Sequence, residues 1–227
     1  MAETGSTNAD LLADLDAGVV GDRCVLAAAH QTAGRGRLDR RWEAPVGSNL
    51  LVSIVFSPTP EPAVDATHRV GLAALAAARD LRPEAAMSLK WPNDVLLGDH
   101  KLAGILAQRS STRDAVVVGL GLNVGWAPEG AAHLGDPAPP AEVLALVLEH
   151  LDRLPPSIEL LYRAALSTLG ARVRVELPGG AVVDGVAVDV DPDGRLLVED
   201  DAAVITAFDV GDVVHLRRSG RAGENGV

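Results

Sequence analysis

Ser88-Leu89-Lys90-Trp91-Pro92-Asn93-Asp94-Val95-Leu96-Leu97 reads as an apolar strand interrupted at Pro92. The turn Gly98-Asp99-His100 follows, and Lys101 to Gln108 runs back, so the segment predicts a β-hairpin. Beyond it, Ala115 to Val124 is another strand, in which Gly119 and Gly121 keep one face bare. Before it, Asn49 to Phe56 and Val25 to Ala29 read as strands, and Ala63 to Leu81 is Ala- and Leu-rich at helical spacing. Leu11, Leu12 and Leu15 repeat at helical spacing behind the capping residues Ser6, Thr7 and Asn8, with Gly18 as a suitable stop. A Pro- and Gly-rich loop, Ala127 to Pro140, leads to two more helices, Ala141 to Leu151 and Ser157 to Leu169. This mixture predicts an α/β (α+β) domain over residues 1–169.

At Gly170 the pattern changes. Val173, Val175, Val182, Val183, Val186, Val188, Leu196, Leu197 and Val198 lie in short apolar stretches separated by Pro178-Gly179-Gly180 and Asp191-Pro192-Asp193-Gly194. Residues 170–217 are expected to form a small all-β barrel ending near Leu216, and 218–227 a frayed polar tail.

Composition narrows the class. The chain has 227 residues, 48% of them hydrophobic, enough for a sizeable core. Its formal charge of −11 repels nucleic-acid phosphates and acidic membranes unless a local basic patch intervenes. No apolar run approaches the roughly 20 residues of a membrane span, and the N-terminal residues do not read as a signal peptide. The single cysteine, Cys24, excludes an internal disulfide and is expected to be a small buried residue. The cytoplasm is the expected compartment.

Gly34-Arg35-Gly36-Arg37-Leu38-Asp39-Arg40-Arg41-Trp42 places four arginines within seven residues of this acidic chain. Its glycines admit a ligand to the backbone, and its guanidinium groups offer forked donors to phosphate or carboxylate. It is either an anion clamp or a solvated loop salt-bridged to the body. It lacks P-loop spacing. Lys90 to Asp94 gathers a cation, an amide and a carboxylate, so Asn93 and Asp94 can hold Mg²⁺, orient an amine, or simply close a turn. Lys101, beside the bare Gly104, can reach into a cleft or sit on a strand edge. The six histidines show no metal-ligand spacing, and no serine-nucleophile elbow occurs.

Each motif alone is ambiguous, whereas their order is specific. Ser-Thr-Asn near the start, Gly-Arg-Gly-Arg before a Trp, Lys-Trp-Pro-Asn-Asp, Lys-Leu-Ala-Gly-Ile-Leu and Gly-Leu-Gly-Leu-Asn-Val together resemble the biotin–protein ligases. The resemblance implies a mixed-sheet catalytic domain with helices on one side, akin to lipoate ligases and class II tRNA synthetases, plus a C-terminal SH3-like β barrel. It implies activation of biotin with ATP and Mg²⁺ to biotinyl-5′-AMP, then transfer to a lysine of a biotin carboxyl carrier domain. Ser6, Thr7, Asn8 and Gln31 would meet the ureido ring. Arg35, Gly36 and Arg37 would close over biotin and the adenylate. Lys101, beside Gly104, would lie at the biotin carboxylate and α-phosphate. Trp42 and Asn123 would form the nucleotide side. Asn93 and Asp94 would sit near the phosphates, Mg²⁺ or the acceptor lysine. Lys101, Arg37 and Asp94 are thus the expected catalytic residues.

The pattern departs from the family at Asp39, where glycine is usual, and this is expected to alter loop flexibility and adenylate retention. With Ser6 so near the start, no DNA-binding helix-turn-helix is expected. A monomer and a homodimer are both compatible with the resemblance. Two other readings stay open: a lipoate–protein ligase, and a non-catalytic protein that sequesters biotin without consuming ATP.

Overall fold

The computed structural model describes residues 1–215 except 39, 136, 178, 179, 210 and 211. Asp39, Leu216 and the expected tail 218–227 therefore lie outside the described residues. In chain order the elements are β1 (Glu3–Thr4), α1 (Thr7–Asp16), β2 (Val25–Ala28), β3 (His30–Gln31), β4 (Leu50–Phe56), α2 (Val64–Leu81), β5 (Met87–Lys90), β6 (Asp94–Leu97), β7 (His100–Arg109), β8 (Val116–Leu122), α3 (Pro140–Arg153), α4 (Glu159–Ala165), β9 (Arg172–Glu176), β10 (Val182–Val190), β11 (Leu196–Glu199), β12 (Ile205–Phe208) and β13 (Asp212–His215).

Six strands form the main sheet in the order β2-β4-β8-β7-β6-β5, every neighbouring pair antiparallel. Parallel pairing enters through β1 and β3, which form their own two-stranded sheet. The segment around Pro92 differs from expectation. It is two strands, β5 and β6, joined at Trp91-Pro92-Asn93 and paired Met87↔Leu97 to Lys90↔Asp94. Pro92 carries no N–H for a ladder, so the chain turns there, and the expected hairpin becomes a three-stranded meander with β7. His30–Gln31 is a short strand because β1 supplies its partner. Cys24, expected to be buried, is half-exposed.

Alternation divides the main sheet into two faces. Val52, Ile54, Val118, Leu120, Ala103, Ile105, Val95 and Leu89 join the large core, covered by α2 and α3. On the other face Val55 and Val117 pack with Leu11 and Leu15 of α1. The helices therefore lie on both sides rather than one, because β4 is apolar on both faces and each must be covered. A fully buried Leu or Val contributes roughly 1.5–3 kcal/mol.

A second, antiparallel sheet follows in the order β12-β11-β10-β9-β13. Its inward residues Val173, Val175, Ala187, Val190, Leu196, Val198 and Phe208 join the same large core. No helix among the described residues is long and apolar enough to cross a membrane.

His68 of α2 is 8% exposed and stacks on Tyr162 of α4, ring centroids 3.6 Å apart. Its Nε2 has no hydrogen-bond partner among the described residues. Burial lowers the His68 pKa to about 4 and raises that of Tyr162. The folded state holds His68 neutral, so its contribution is complete above the ordinary value of 6.5 and is lost as pH falls from 6.5 toward 4. We expect this group to remove up to about 3 kcal/mol of stability across that window. Denaturant unfolding at several pH values checks this: His68→Phe should flatten the slope, and an unchanged slope would refute the assignment.

Candidate active site

Three glycines define the site on the α1 face of the main sheet. The pairings Ser53↔Gly119↔Leu106 and Leu51↔Gly121↔Gly104↔Asp94↔Lys90 run across the strands as two adjacent rows. Gly119, Gly121 and Gly104 leave bare backbone in these rows, and neighbouring groups lie directly on it. A Cβ on Gly119 would overlap Asn8 Oδ1, and one on Gly121 would overlap the Trp42 indole. One on Gly104 would lie 3.0 Å from Lys101 Nζ and 3.1 Å from Trp42 Cζ3. Here glycine is required by close approach rather than by a turn.

The first row ends in a polar niche at the start of α1. Ser6, Thr7 and Asn8 are buried. Asn8 Nδ2 donates to Leu106 O and to Gln108 Oε1, each at 3.0 Å. The Ser53 hydroxyl lies 2.6 Å from Asn8 Oδ1 and 2.8 Å from Thr7 Oγ1. Gln31 Oε1 accepts from Thr7 N at 2.8 Å and from Thr7 Oγ1 at 3.1 Å. This niche offers hydroxyl and amide groups of both polarities without a formal charge, which suits a small neutral polar ring.

The second row carries the charges. Lys101 Nζ lies 2.6 Å from Asp94 Oδ1 and 5.7 Å from the centroid of the Trp42 ring. A register shift between Val95 and Leu96 sets Leu102 and Ala103 together opposite the β6 core residues, so Lys101 and Gly104 both reach the site face despite their three-residue spacing. Lys90 lines the cleft one strand beyond Asp94.

The arginine segment folds back on itself. Gly36 N donates to Arg40 O at 2.7 Å, Trp42 N donates to Gly34 O at 3.1 Å, and Arg35 bridges antiparallel to Arg41. Arg37 Nη1 reaches across to Asn93 Oδ1 at 3.3 Å, while Asn93 Nδ2 donates to Ile105 O at 2.7 Å. Trp42 Nε1 is buried without an acceptor among the described residues.

These groups enclose a cleft of about 470 Å³. Of the residues expected from sequence, Ser6, Thr7, Asn8, Gln31, Arg35, Gly36, Arg37, Trp42, Asn93, Asp94, Lys101 and Gly104 all line it. Asn123 does not. Its Oδ1 accepts from Asn49 Nδ2 at 3.1 Å and its Nδ2 donates to Ala132 O at 2.9 Å, so its side chain is spent anchoring the loop after β8. Sequence reasoning gave no role to Glu43 or Glu176 and no separate role to Lys90, all of which line the cleft, nor to Ser53, which is fully buried and bonds to Thr7 and Asn8. The period-two spacing of Ser53 with Leu51, and of Lys90 with Ser88, is the signal that would have put these two on the site face. Glu176 comes from β9 of the second sheet, and only tertiary packing brings it here.

Among the described residues no cluster of three or more His, Cys, Asp or Glu side chains could hold a metal ion unaided. Asn93 and Asp94 supply oxygen donors of the kind that a phosphate-bound hard cation takes, with Asn93 Oδ1 facing Arg37 and Asp94 Oδ1 facing Lys101.

Residues 5–124 match the Biotin/lipoate A/B protein ligase family, and residues 168–216 match the Biotin protein ligase C terminal domain. The biotin–[acetyl-CoA-carboxylase] ligase of Mycobacterium tuberculosis is 42% identical over 96% of this chain and 88% of its own length. The enzyme of that name from Paracoccus denitrificans is 35% identical over 92% and 98%. The structure of biotin protein ligase from Aquifex aeolicus in complex with biotin and ATP superposes with a TM-score of 0.78 at 26% identity, covering 96% of this chain and 97% of that one.

The close fit at Gly119 yields a direct expectation. Gly119→Ala should displace Asn8 and break its bonds to Leu106 and Gln108, costing roughly 1–3 kcal/mol. Thermal unfolding measures this, and an unchanged midpoint would show that Asn8 is not held as described.

Proposed function

Since the chain belongs to the biotin/lipoate A/B protein ligase family, as a biotin protein ligase, we propose that its cleft residues divide the work of biotin activation and transfer as follows. The chain activates biotin with ATP to biotinyl-5′-AMP and transfers biotin to a carrier lysine of a carboxylase. The observation that carries the assignment is the order of groups across the sheet: a neutral polar niche at Asn8 and Ser53, then Lys101 with Asp94, then Lys90 at the outermost strand.

Biotin's ureido ring fits the niche of Ser6, Thr7, Asn8 and Gln31, whose donors and acceptors match its N–H and C=O groups. Its valeryl chain runs along the cleft from that niche toward Lys101. Its carboxylate then reaches Lys101. One carboxylate oxygen attacks the α-phosphorus of ATP, the bond to the β-phosphate oxygen breaks, and pyrophosphate leaves with that electron pair. The reactants are both anionic, so the main task is electrostatic. Lys101 offsets the charge at the α-phosphate, and Arg35 and Arg37 close from the facing loop. In-line displacement sends pyrophosphate away from the biotin end, toward Lys90. Mg²⁺ bound to the triphosphate would neutralise part of its charge, with Asn93 and Asp94 as its protein neighbours.

The adenylate is a mixed anhydride and needs protection from water. The Arg35–Trp42 segment supplies the cover, and Trp42 Nε1 offers a donor to the bound intermediate. A carrier lysine then attacks the acyl carbon, the acyl–phosphate C–O bond breaks, and AMP leaves. Asp94, already held by Lys101, is placed to accept the ammonium proton. In this reading the carrier is a biotin carboxyl carrier domain and the compartment is the cytoplasm, where ATP is supplied.

Biotin-dependent ATP–pyrophosphate exchange with Mg²⁺ tests the first step. Exchange is expected with biotin and not with lipoate. Lys101→Ala should lower it on the order of 10²- to 10³-fold while the protein stays folded. Near-wild-type exchange in that variant would remove Lys101 from its role, and exchange with lipoate alone would overturn the substrate. Arg37→Gly should release more free biotinyl-AMP, measured by chromatography of the reaction mixture.

A further inference from the structure

Lys90, Asn93 and Asp94 lie on and beside a tight turn at the outer edge of the main sheet. Edge elements open readily unless something outside the sheet holds them. Here the second sheet and the segment leading to it supply the hold. Trp91, 2% exposed, is among the largest fully buried side chains of the protein. Its Nε1 donates to Gly194 O at 2.9 Å, and its backbone N–H donates to Thr168 Oγ1 at 3.0 Å. Leu89 bridges parallel to Leu166, and Leu89 O accepts from Ser167 N at 2.9 Å and Ser167 Oγ at 3.0 Å.

The Gly194 carbonyl is itself fixed. Asp191 Oδ1 accepts from Asp193 N at 3.0 Å and from Arg195 N at 2.9 Å, and Asp191 Oδ2 accepts from Arg195 Nε at 2.7 Å. Gly194 N donates to Asp191 O at 2.9 Å. Gly194 has φ +82°, and a Cβ there would meet Val64 Cγ1 at 2.8 Å, so the turn abuts the start of α2. Asp191 thus organises a closed turn whose carbonyl points at a tryptophan within the Lys90–Asp94 segment.

We propose that the Asp191–Arg195 turn is a positioning element for adenylation: through Trp91 it sets where Lys90, Asn93 and Asp94 meet the phosphates. The proposal rests on the reading of the cleft as the biotin and ATP site. The biotin end stands on α1, β4 and β8, none of which this hydrogen-bonded tether touches. Loosening the tether therefore acts first on the phosphate end, and reaches the biotin end only through the Asp94–Lys101 pair.

The test is Trp91→Phe, which keeps an aromatic ring in the core and removes the indole donor. In biotin-dependent exchange, KM for ATP and for pyrophosphate should rise roughly three- to tenfold, the equivalent of one hydrogen bond, with KM for biotin unchanged. Asp191→Ala, which removes the carboxylate that closes the turn, should move the same constants in the same direction and serves if Trp91→Phe does not fold. Unchanged KM for ATP in a folded variant would overturn the proposal. So would an equal rise for biotin and ATP, which marks general disruption. Absence of exchange in the wild-type protein would overturn the function reading itself, and this proposal with it. Normal wild-type exchange with an indifferent variant would overturn the positioning role alone.

Discussion

Bare backbone on one face of the main sheet is the constraint on which the rest of the site depends. Gly119 admits Asn8, Gly121 admits the Trp42 indole, and Gly104 admits the Lys101 side chain. Antiparallel pairing sets Gly104 opposite Gly121, which joins two small gaps into one floor. A methyl group at any of the three would push out a side chain that lines the cleft. The opposite face cannot share this design, because it carries the large core beneath α2 and α3. One sheet thus separates its two tasks by the alternation of its side chains.

The electrostatics follow the same economy. The chain as a whole carries a formal charge of −11, yet the cleft is lined by Arg35, Arg37, Arg40, Arg41, Lys90 and Lys101 against Glu43, Asp94 and Glu176. The local excess of cations concentrates an anionic substrate in a molecule that otherwise repels it. Lys101 is held by Asp94 and stands near the Trp42 ring, and Arg37 is held at Asn93. Preorganised cations of this kind need little rearrangement as charge develops during reaction. The second sheet contributes at two points, with Glu176 at the cleft and Gly194 behind Trp91.

Much of this was legible in the sequence because the motifs carry their chemistry in residue type. Arginines between glycines, a lysine beside a glycine and a Ser-Thr-Asn cap announced themselves, and all but Asn123 of the expected residues line the cleft. Asn123 differs in that only the fold shows its amide bonded to Asn49 and to Ala132, which no local pattern reveals. In sequence the turn at Pro92 looks like a mere interruption because apolar residues flank it on both sides, and strand identity hides strand direction. Lys101 and Gly104 share a face only because of the register shift in β7, which period-two reading places on opposite faces. Glu176 and Gly194 lie far along the chain from the motifs, so no local pattern could connect them to the site.

The central claim is that the substrates lie across the strands in one direction, from the niche at Asn8 to the edge at Lys90. A crystal structure with biotin and a non-hydrolysable ATP analogue tests it most directly. The order of groups across the sheet predicts the ureido ring against Thr7 and Asn8, the α-phosphate beside Lys101 and the outer phosphates at Lys90. Phosphates placed over Gly119, or outer phosphates remote from Lys90, would contradict it.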